Sequence, residues 1–291
     1  MDNFNRIITV KFFSKDADGK KAAAADYVIN CPTYGRKPNI EISGLWNGST
    51  SIPTFNLKIR NLYIKDRLEQ YQFIEVIAGY QNNLKTFSGQ ISYMFTESPG
   101  PESVTVIMCM FGSLDTWLNT KVSLNYKSGF KFETVFNEIA QALGKTPEIS
   151  DSIKTLSSNA KLQFDGLAKD SLEKLKKCYT KLITITPQEN KLLAYVSGEE
   201  QDMGLKIDLK VLTAPPQLIG GTDNVVTVTV ISLWNPKITP GTVVSFNAKY
   251  YSTTLAMSSS ADMYKIKVTS VNFHFSTVHG GNEMTLIGNK V

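Results

Sequence analysis

The sequence predicts an α+β protein that is predominantly β, with two β-barrel regions and a small α+β insert between them. Three observations carry this. Apolar and polar residues alternate in short runs from Arg6 to Met110 and again from Leu205 to Ile287, the period of a half-buried strand. Turn chemistry punctuates those runs, at Asp16–Lys20 (DADGK), Ser98-Pro99-Gly100-Pro101, Asn235-Pro236, Pro240-Gly241 and Gly280-Gly281. Between the two stretches the apolar spacing changes to three and four: Phe132, Val135, Phe136, Ile139, Ala140 and Leu143 line one side of a helix. The domain reading is 1–111 as the first β region, 112–197 as the insert and 198–291 as the second β region. Whether the last pairs with the first is left open.

In the first region, Arg6–Phe13 (RIITVKFF) and Tyr27–Cys31 read as strands, and Asn39–Gly44 as a third with Ile40 and Ile42 on one face. Trp46-Asn47-Gly48-Ser49 reads as a polar loop, since Asn-Gly suits a tight turn. Thr54–Ile59 sets Phe55, Leu57 and Ile59 against Thr54, Asn56 and Lys58. Phe73–Tyr80 and Leu84–Phe95 continue the series, and Val104–Met110 (VTVIMCM) is apolar enough for a strand covered on both faces.

In the insert, Lys131–Leu143 is the amphipathic helix, and Gly144 stands where a left-handed C-terminal residue belongs. A second helix is expected at Ser171–Tyr179, with Asp170 as N-cap, Glu173 completing a capping-box-like pair, and Leu172, Leu175 and Cys178 as its apolar stripe. Leu162–Phe164 reads as a short strand before a turn at Gly166. Leu182–Thr186 and Lys191–Val196 read as a hairpin around Pro187–Asn190.

In the last region, Leu205–Leu212 alternates, Ala214-Pro215-Pro216 is expected to break the strand, and Gly220-Gly221 follows. Thr222–Phe246 is strand, corner, strand. Val226, Val228 and Val230 face one way, and Thr227, Thr229 and Ile231 the other. Asn235-Pro236 stops the first strand because proline has no N–H for a ladder, and Val243, Val244 and Phe246 restart it after Pro240-Gly241. Thr253–Asp262 is small and polar and reads as a mobile loop. Tyr264–Val271 alternates, Phe273 and Phe275 extend it, and Met284–Ile287 closes the series.

A chain of 291 residues has room for one to three domains and a sizeable core. Hydrophobic content of 42% with 20% charge is ordinary for a soluble globular protein. The net charge of +5 and pI of 8.9 are too mild to argue for nucleic acid, and no basic block alternates with aromatics. Lys174, Lys176 and Lys177, the densest basic cluster, read as a solvated helix face. The three cysteines, Cys31, Cys109 and Cys178, lie far apart without ligand spacing, so free buried thiols in a reducing compartment are expected. MDNFNRIITVKFF carries no secretory signal, and no apolar run approaches the roughly 18–20 residues of a membrane span, so synthesis in the cytosol and no membrane insertion are expected.

The search for chemistry finds no catalytic set, cofactor motif or metal site. The two histidines, His274 in an alternating strand and His279 beside a Gly-Gly turn, have no companion at ligand spacing. There is no G-x-S-x-G elbow, P-loop or G-x-G-x-x-G after a strand. Glu199-Glu200 with Asp202 is a dense acidic cluster in a loop setting, where adjacent side chains diverge. Trp46, Trp117 and Trp234 suggest a sugar platform, but all sit at ends of apolar segments, where packing is commoner.

The order of the parts resembles the central baseplate hub proteins of tailed bacteriophages and related contractile injection machines. The likeness spans nearly the whole chain. It includes FSGQI (Phe87–Ile91) before a Pro-rich turn and an apolar strand, then Ser128-Gly129-Phe130 leading a helix that ends at Ala142-Leu143-Gly144. FDGLAKDSLEKL (Phe164–Leu175), LWNPKITPGTVV (Leu233–Val244) and a YKIKV strand before a Gly-Gly turn follow. The resemblance implies two β-barrel regions related to the tail-tube protein, a decorating helical part, and a homotrimeric ring joining a hexameric tube to a threefold spike. The implied partners are the tail tube or tube-adaptor protein, the spike protein and baseplate wedge proteins, with DNA only as passing cargo. The implied place is the virion tail baseplate, after assembly in the host cytoplasm. No lysozyme-like or peptidase domain is seen, which argues against cell-wall cleavage by this chain. Contacts with neighbouring subunits are expected at the loops Trp46–Pro53 and Thr253–Asp262, and at Trp46, Asn47, Trp234, Asn235, Pro236 and Met257. The alternatives are a carbohydrate-binding or adhesin-like β protein using the tryptophans, and a cell-wall hydrolase using Glu199 and Glu200.

Overall fold

The computed structural model describes residues 6–30, 39–47, 53–62, 70–80, 83–97, 102–111, 114–180, 183–188, 191–196, 204–220, 227–246, 264–278 and 282–290. They form two compact units. One is drawn from Met1–Trp46, Pro53–Phe111 and Asp202–Val291, the other chiefly from Gly112–Gln201. The protein is predominantly β, built on one large and mostly antiparallel sheet.

The first unit contains β1 (Arg6–Phe13), β2 (Tyr27–Asn30), β3 (Ile40–Asn47), β4 (Thr54–Arg60), β5 (Phe73–Tyr80), β6 (Asn83–Glu97) and β7 (Val104–Phe111). From the C-terminal part come β13 (Leu205–Ile207), β14 (Leu212–Gly220), β15 (Thr227–Leu233), β16 (Val243–Phe246), β17 (Tyr264–Ser276) and β18 (Glu283–Lys290). All thirteen belong to one sheet, in the order β14-β15-β18-β17-β3-β4-β7-β6-β5-β1-β2, with β16 beside β17 and β13 beside β16. The junction of β17 with β3 joins the two ends of the chain. There the Ile40 N–H donates to Thr277 Oγ1 at 3.0 Å, and the Thr277 N–H to the Ile40 carbonyl at 3.0 Å. One core fills the unit, with Ile8, Val10 and Phe12 of β1 packing in the same cluster as Val228 and Val230 of β15 and Ile266 and Val268 of β17.

The alternation read from the sequence fixes the inward faces. In β4, Phe55, Leu57 and Ile59 are buried, and in β15 so are Val228 and Val230. The corner after β15 closes as expected. Asn235 Oδ1 accepts from the Lys237 N–H at 3.1 Å, and the Thr239 carbonyl accepts from the Thr242 N–H at 3.1 Å with Gly241 at φ +92°. The two strands it joins do not pair with each other, since β15 lies between β14 and β18, whereas β16 lies beside β17.

Two expectations are corrected here. Trp46 and Asn47 are not loop residues; they end β3, because Trp46 has an apolar pocket to fill and the strand runs on to reach it. Ala214-Pro215-Pro216 does not break its strand either. The strand passes through it as β14 with register shifts on both sides of Ala214, which is how an edge strand tolerates residues that lack an N–H.

The second unit contains α1 (Leu114–Asn119), β8 (Lys121–Tyr126), α2 (Phe132–Ala142), β9 (Thr146–Ile149), α3 (Asp151–Lys154), β10 (Leu162–Leu167), α4 (Ala168–Lys177), β11 (Ile183–Gln188) and β12 (Lys191–Val196). β8 and β10 form an antiparallel pair, and β11, β12 and β9 a three-stranded sheet in which β9 runs parallel to β12. α2 buries Phe132, Val135, Phe136, Ile139 and Ala140 in a core shared with Leu172 and Leu175 of α4. It ends in a Schellman motif: Gly144, at φ +64°, donates to the Gln141 carbonyl at 2.9 Å and Lys145 to the Ala140 carbonyl at 2.9 Å.

The capping reading of α4 is corrected. Leu167 is the N-cap, with extended backbone at φ −70° and ψ 136°, and Asp170 lies inside the first turn. Leu167 is still paired as the last residue of β10, and the Thr120 carbonyl takes the Ala168 N–H at 2.8 Å, so no side-chain cap is used. Asp170 then favours the positive end of the helix dipole. Gly166 likewise lies within β10, opposite Val122, and is not a turn.

Candidate assembly interface

The residues expected at an interface are mostly interior. Trp46 is 5% exposed, with its ring centroid 5.0 Å from Phe273, 5.6 Å from Phe111 and 5.9 Å from Phe87. The Lys85 ammonium caps its face at 4.0 Å and donates to the Pro236 carbonyl at 3.5 Å, tying the corner to β6. Trp234 is buried against Phe275 at 4.9 Å and Phe87 at 6.1 Å, and Pro236 is buried beside it. Asn47 is exposed, Asn235 half-buried, and Met257 lies outside the described residues, as do Gly48–Ile52 and Thr253–Asp262. Trp117 is buried in the core of the second unit. Packing, the commoner fate of such tryptophans, is what all three do, and none offers an open ring face to a sugar.

The apolar surface lies elsewhere. In β6, Phe87, Gly89 and Ile91 face the core, and then the pairing with β7 slips by one residue between Ile91 and Tyr93. A one-residue slip exchanges the two faces of a strand. Met94 therefore packs inward opposite Ile107, and Tyr93 and Phe95 stand on the outer face, their centroids 5.4 Å apart. Tyr93 is 59% exposed and its cross-strand partner Met108 is 42% exposed. A simple alternation from Leu84 to Phe95 sends both aromatics inward, which is why sequence reading missed them. Gly89, just before the slip, sits where a Cβ would come within 2.4 Å of the Met110 carbonyl oxygen, so the two strands need glycine to approach this closely.

Charged groups on the outer face are paired across strands. Glu75 takes the Lys11 ammonium at 2.8 Å and Lys21 at 3.4 Å, and Arg60 reaches Glu102 at 3.2 Å and Glu41 at 3.7 Å. Burial pushes the Glu75 carboxyl up, but Lys11 and Lys21 more than reverse this and hold its pKa below the ordinary value. His274, on the surface as expected, lies 3.8 Å from Glu41. His279, Glu199, Glu200 and Asp202 lie outside the described residues. Cys109 is buried and uncharged, its thiol pushed far up by desolvation; Cys178 is half-buried, and Cys31 lies outside the described residues. In the basic cluster, Lys176 pairs with Glu173 at 2.9 Å and Lys174 donates to the Gln163 carbonyl at 2.6 Å. Among the described residues, no three His, Cys, Asp or Glu side chains converge as a metal site would require, and no helix is long and apolar enough to cross a membrane.

No protein-family model and no curated protein matches this chain. Solved structures do. The tail protein from Neisseria meningitidis MC58 superposes with a TM-score of 0.62 at 8% identity, over 98% of this chain and 97% of that one. The 43 kDa tail protein of prophage MuSo2 from Shewanella oneidensis gives 0.59 at 10% identity, over 97% and 96%. This is the fold of phage tail proteins. An Escherichia coli component of the type VI secretion system, described as structurally similar to the T4 bacteriophage tail proteins gp27 and gp5, shares the tail-protein fold at a TM-score of 0.58 and 9% identity, over 88% of this chain and 75% of that one.

Proposed function

We propose that the chain is a structural hub subunit of a phage-type tail baseplate, three copies of which form a ring between the hexameric tail tube and the threefold spike. One observation carries this: the likeness to a tail protein runs end to end, over 98% of this chain and 97% of the other. A contact that is not self-complementary closes at a fixed number of copies. Three copies, each with two tube-like β regions, would offer six such regions to the tube and three to the spike. The partners are then the tube or tube-adaptor protein, the spike, and baseplate wedge proteins around the ring, with DNA passing as cargo. The finished particle holds the chain in its tail baseplate, after assembly in the host cytoplasm. The role is one of shape, and no reaction is assigned to the chain.

Asn47 and Asn235 remain candidate contacts, and Trp46, Trp234 and Pro236 serve by holding the backbone that carries them. The carbohydrate-binding reading loses its support with the burial of all three tryptophans. The test is native mass spectrometry of the purified chain, alone and co-expressed with the spike protein. Three copies in either preparation is the expected result. A strictly monomeric chain in both overturns the ring.

A further inference from the structure

β6 carries a lysine where its alternation places an apolar residue. Lys85 is in phase with Phe87, Gly89 and Ile91, the residues of β6 that face the core, and its side chain is half-buried. A charge moved out of water costs free energy unless other groups take the place of the water. Here two aromatic faces and a main-chain carbonyl do so. The ammonium lies 4.0 Å from the ring centroid of Trp46 and 5.9 Å from that of Phe87, and it donates to the Pro236 oxygen at 3.5 Å. A methionine would fill similar space without that cost, so the charge is accounted for by what it holds.

What it holds is the corner after β15. Along its length this corner is tied to the C-terminal part of the chain. The Trp234 N–H donates to the Asn282 carbonyl at 2.8 Å and the Gly241 N–H to the Val268 carbonyl at 2.7 Å. Within the corner, the Lys237 N–H donates to Asn235 Oδ1 and the Ile238 N–H to the Asn235 carbonyl, both at 3.1 Å. Buried and outward residues alternate through it: Trp234, Pro236, Ile238 and Pro240 are buried, Lys237 is exposed, and Asn235 and Thr239 are half-buried. The Pro236 carbonyl instead meets Lys85, 151 positions earlier in the chain.

We propose that Lys85 is the positioning residue of this corner. Its charge, seated on Trp46, draws the Pro236 carbonyl inward and fixes the backbone on which Asn235 is presented to a neighbouring copy of the chain. The presentation of Asn235 rests on the ring reading, whereas the positioning stands on the distances within one chain.

Lys85→Met keeps the apolar stem and removes the charge, and Lys85→Arg keeps the charge. Amide hydrogen exchange reads the corner at Lys237, Ile238 and Gly241, and the body of the sheet at β1. In Lys85→Met the corner amides are expected to exchange about tenfold faster, the effect of losing a well-placed cation over a ring, with β1 unchanged. The concentration needed for assembly, read by native mass spectrometry, rises with it, and Lys85→Arg restores both. Unchanged exchange at the corner overturns the positioning role. Faster exchange at the corner and in β1 together overturns it as well, because Lys85 then supports the core at large. A loosened corner with undiminished assembly overturns the presentation of Asn235 alone. A wild-type chain that is monomeric, both alone and with the spike, removes the ring reading and the presentation with it, while the exchange at the corner still decides the role of Lys85.

Discussion

The two compact units bury their cores by different routes. Around Phe87 of β6 pack Trp46 from β3, Phe55 from β4, Phe111 from β7, Trp234 from the corner after β15 and Phe273 from β17, at centroid distances of 5.3–6.1 Å. Around Phe136 of α2 the neighbours come from one unbroken stretch, with Phe132 one turn away at 5.3 Å, and Leu172 and Leu175 of α4 nearby in sequence. The core of the β unit draws on both ends of the chain; among the described residues, the core of the α+β unit is drawn from residues 117–196. The same loss of a ring should therefore spread through the first and stay local in the second.

The largest effect is expected from Phe87→Ala, a loss of about 3–5 kcal/mol in denaturant unfolding. Hydrogen exchange should quicken in β3 and β17 together, and protection kept in β17 would break the contrast. Phe136→Ala should cost a comparable amount, about 3–5 kcal/mol, with faster exchange confined to residues 121–196. Asn282→Ala is expected to cost about 1–3 kcal/mol, because the buried Ser276 N–H, now 2.7 Å from Asn282 Oδ1, loses its acceptor. An unchanged denaturation midpoint would show that water replaces the side chain there. In the second unit, Gly144→Ala should cost only about 1 kcal/mol, the penalty for a side chain at φ +64°, and shorten α2 at its end by amide exchange. The smallest effect concerns Glu75. Its pKa is lowered in the folded chain from the ordinary 4.5, so the stabilisation is present above that value and fades as pH falls through the folded pKa. Wild type and Glu75→Gln should differ in melting temperature near neutral pH and converge in acid. A constant offset would mean the ion pairs with Lys11 and Lys21 contribute nothing.

Much of the fold was legible. β1, β5 and α2 are found where their periodicity puts them, because each is a regular element whose buried face is filled by its own alternating residues. What was missed shares a cause: partners distant in sequence. β8 and β9 are short and gain their strand character from β10 and β12. α4 starts early because a carbonyl from Thr120 replaces the cap that Asp170 was expected to supply. β14 passes through two prolines because it lies at an edge, which only the topology reveals. The exposed Tyr93 was hidden by a one-residue slip that no alternation pattern contains. The tail-protein likeness, by contrast, was read from the order of weak motifs along the chain, and the fold is shared with tail proteins at 8–10% identity.

The pairing of β3 with the end of β17 also sets a clock. Ile40 and Thr277, bonded to each other, are 237 positions apart. At a synthesis rate of about 5–20 residues per second, roughly 10–50 s separate the emergence of one from the other. During that interval the ribosome holds a nascent half-sheet whose β3 ladder is unfilled and whose Trp46 lacks the cover of Phe273. Unpaired strand edges and uncovered apolar surface make such a chain prone to aggregate until the sheet closes. Its yield in recombinant expression should respond more to slowed translation and chaperone supply than to any change in the finished protein's stability.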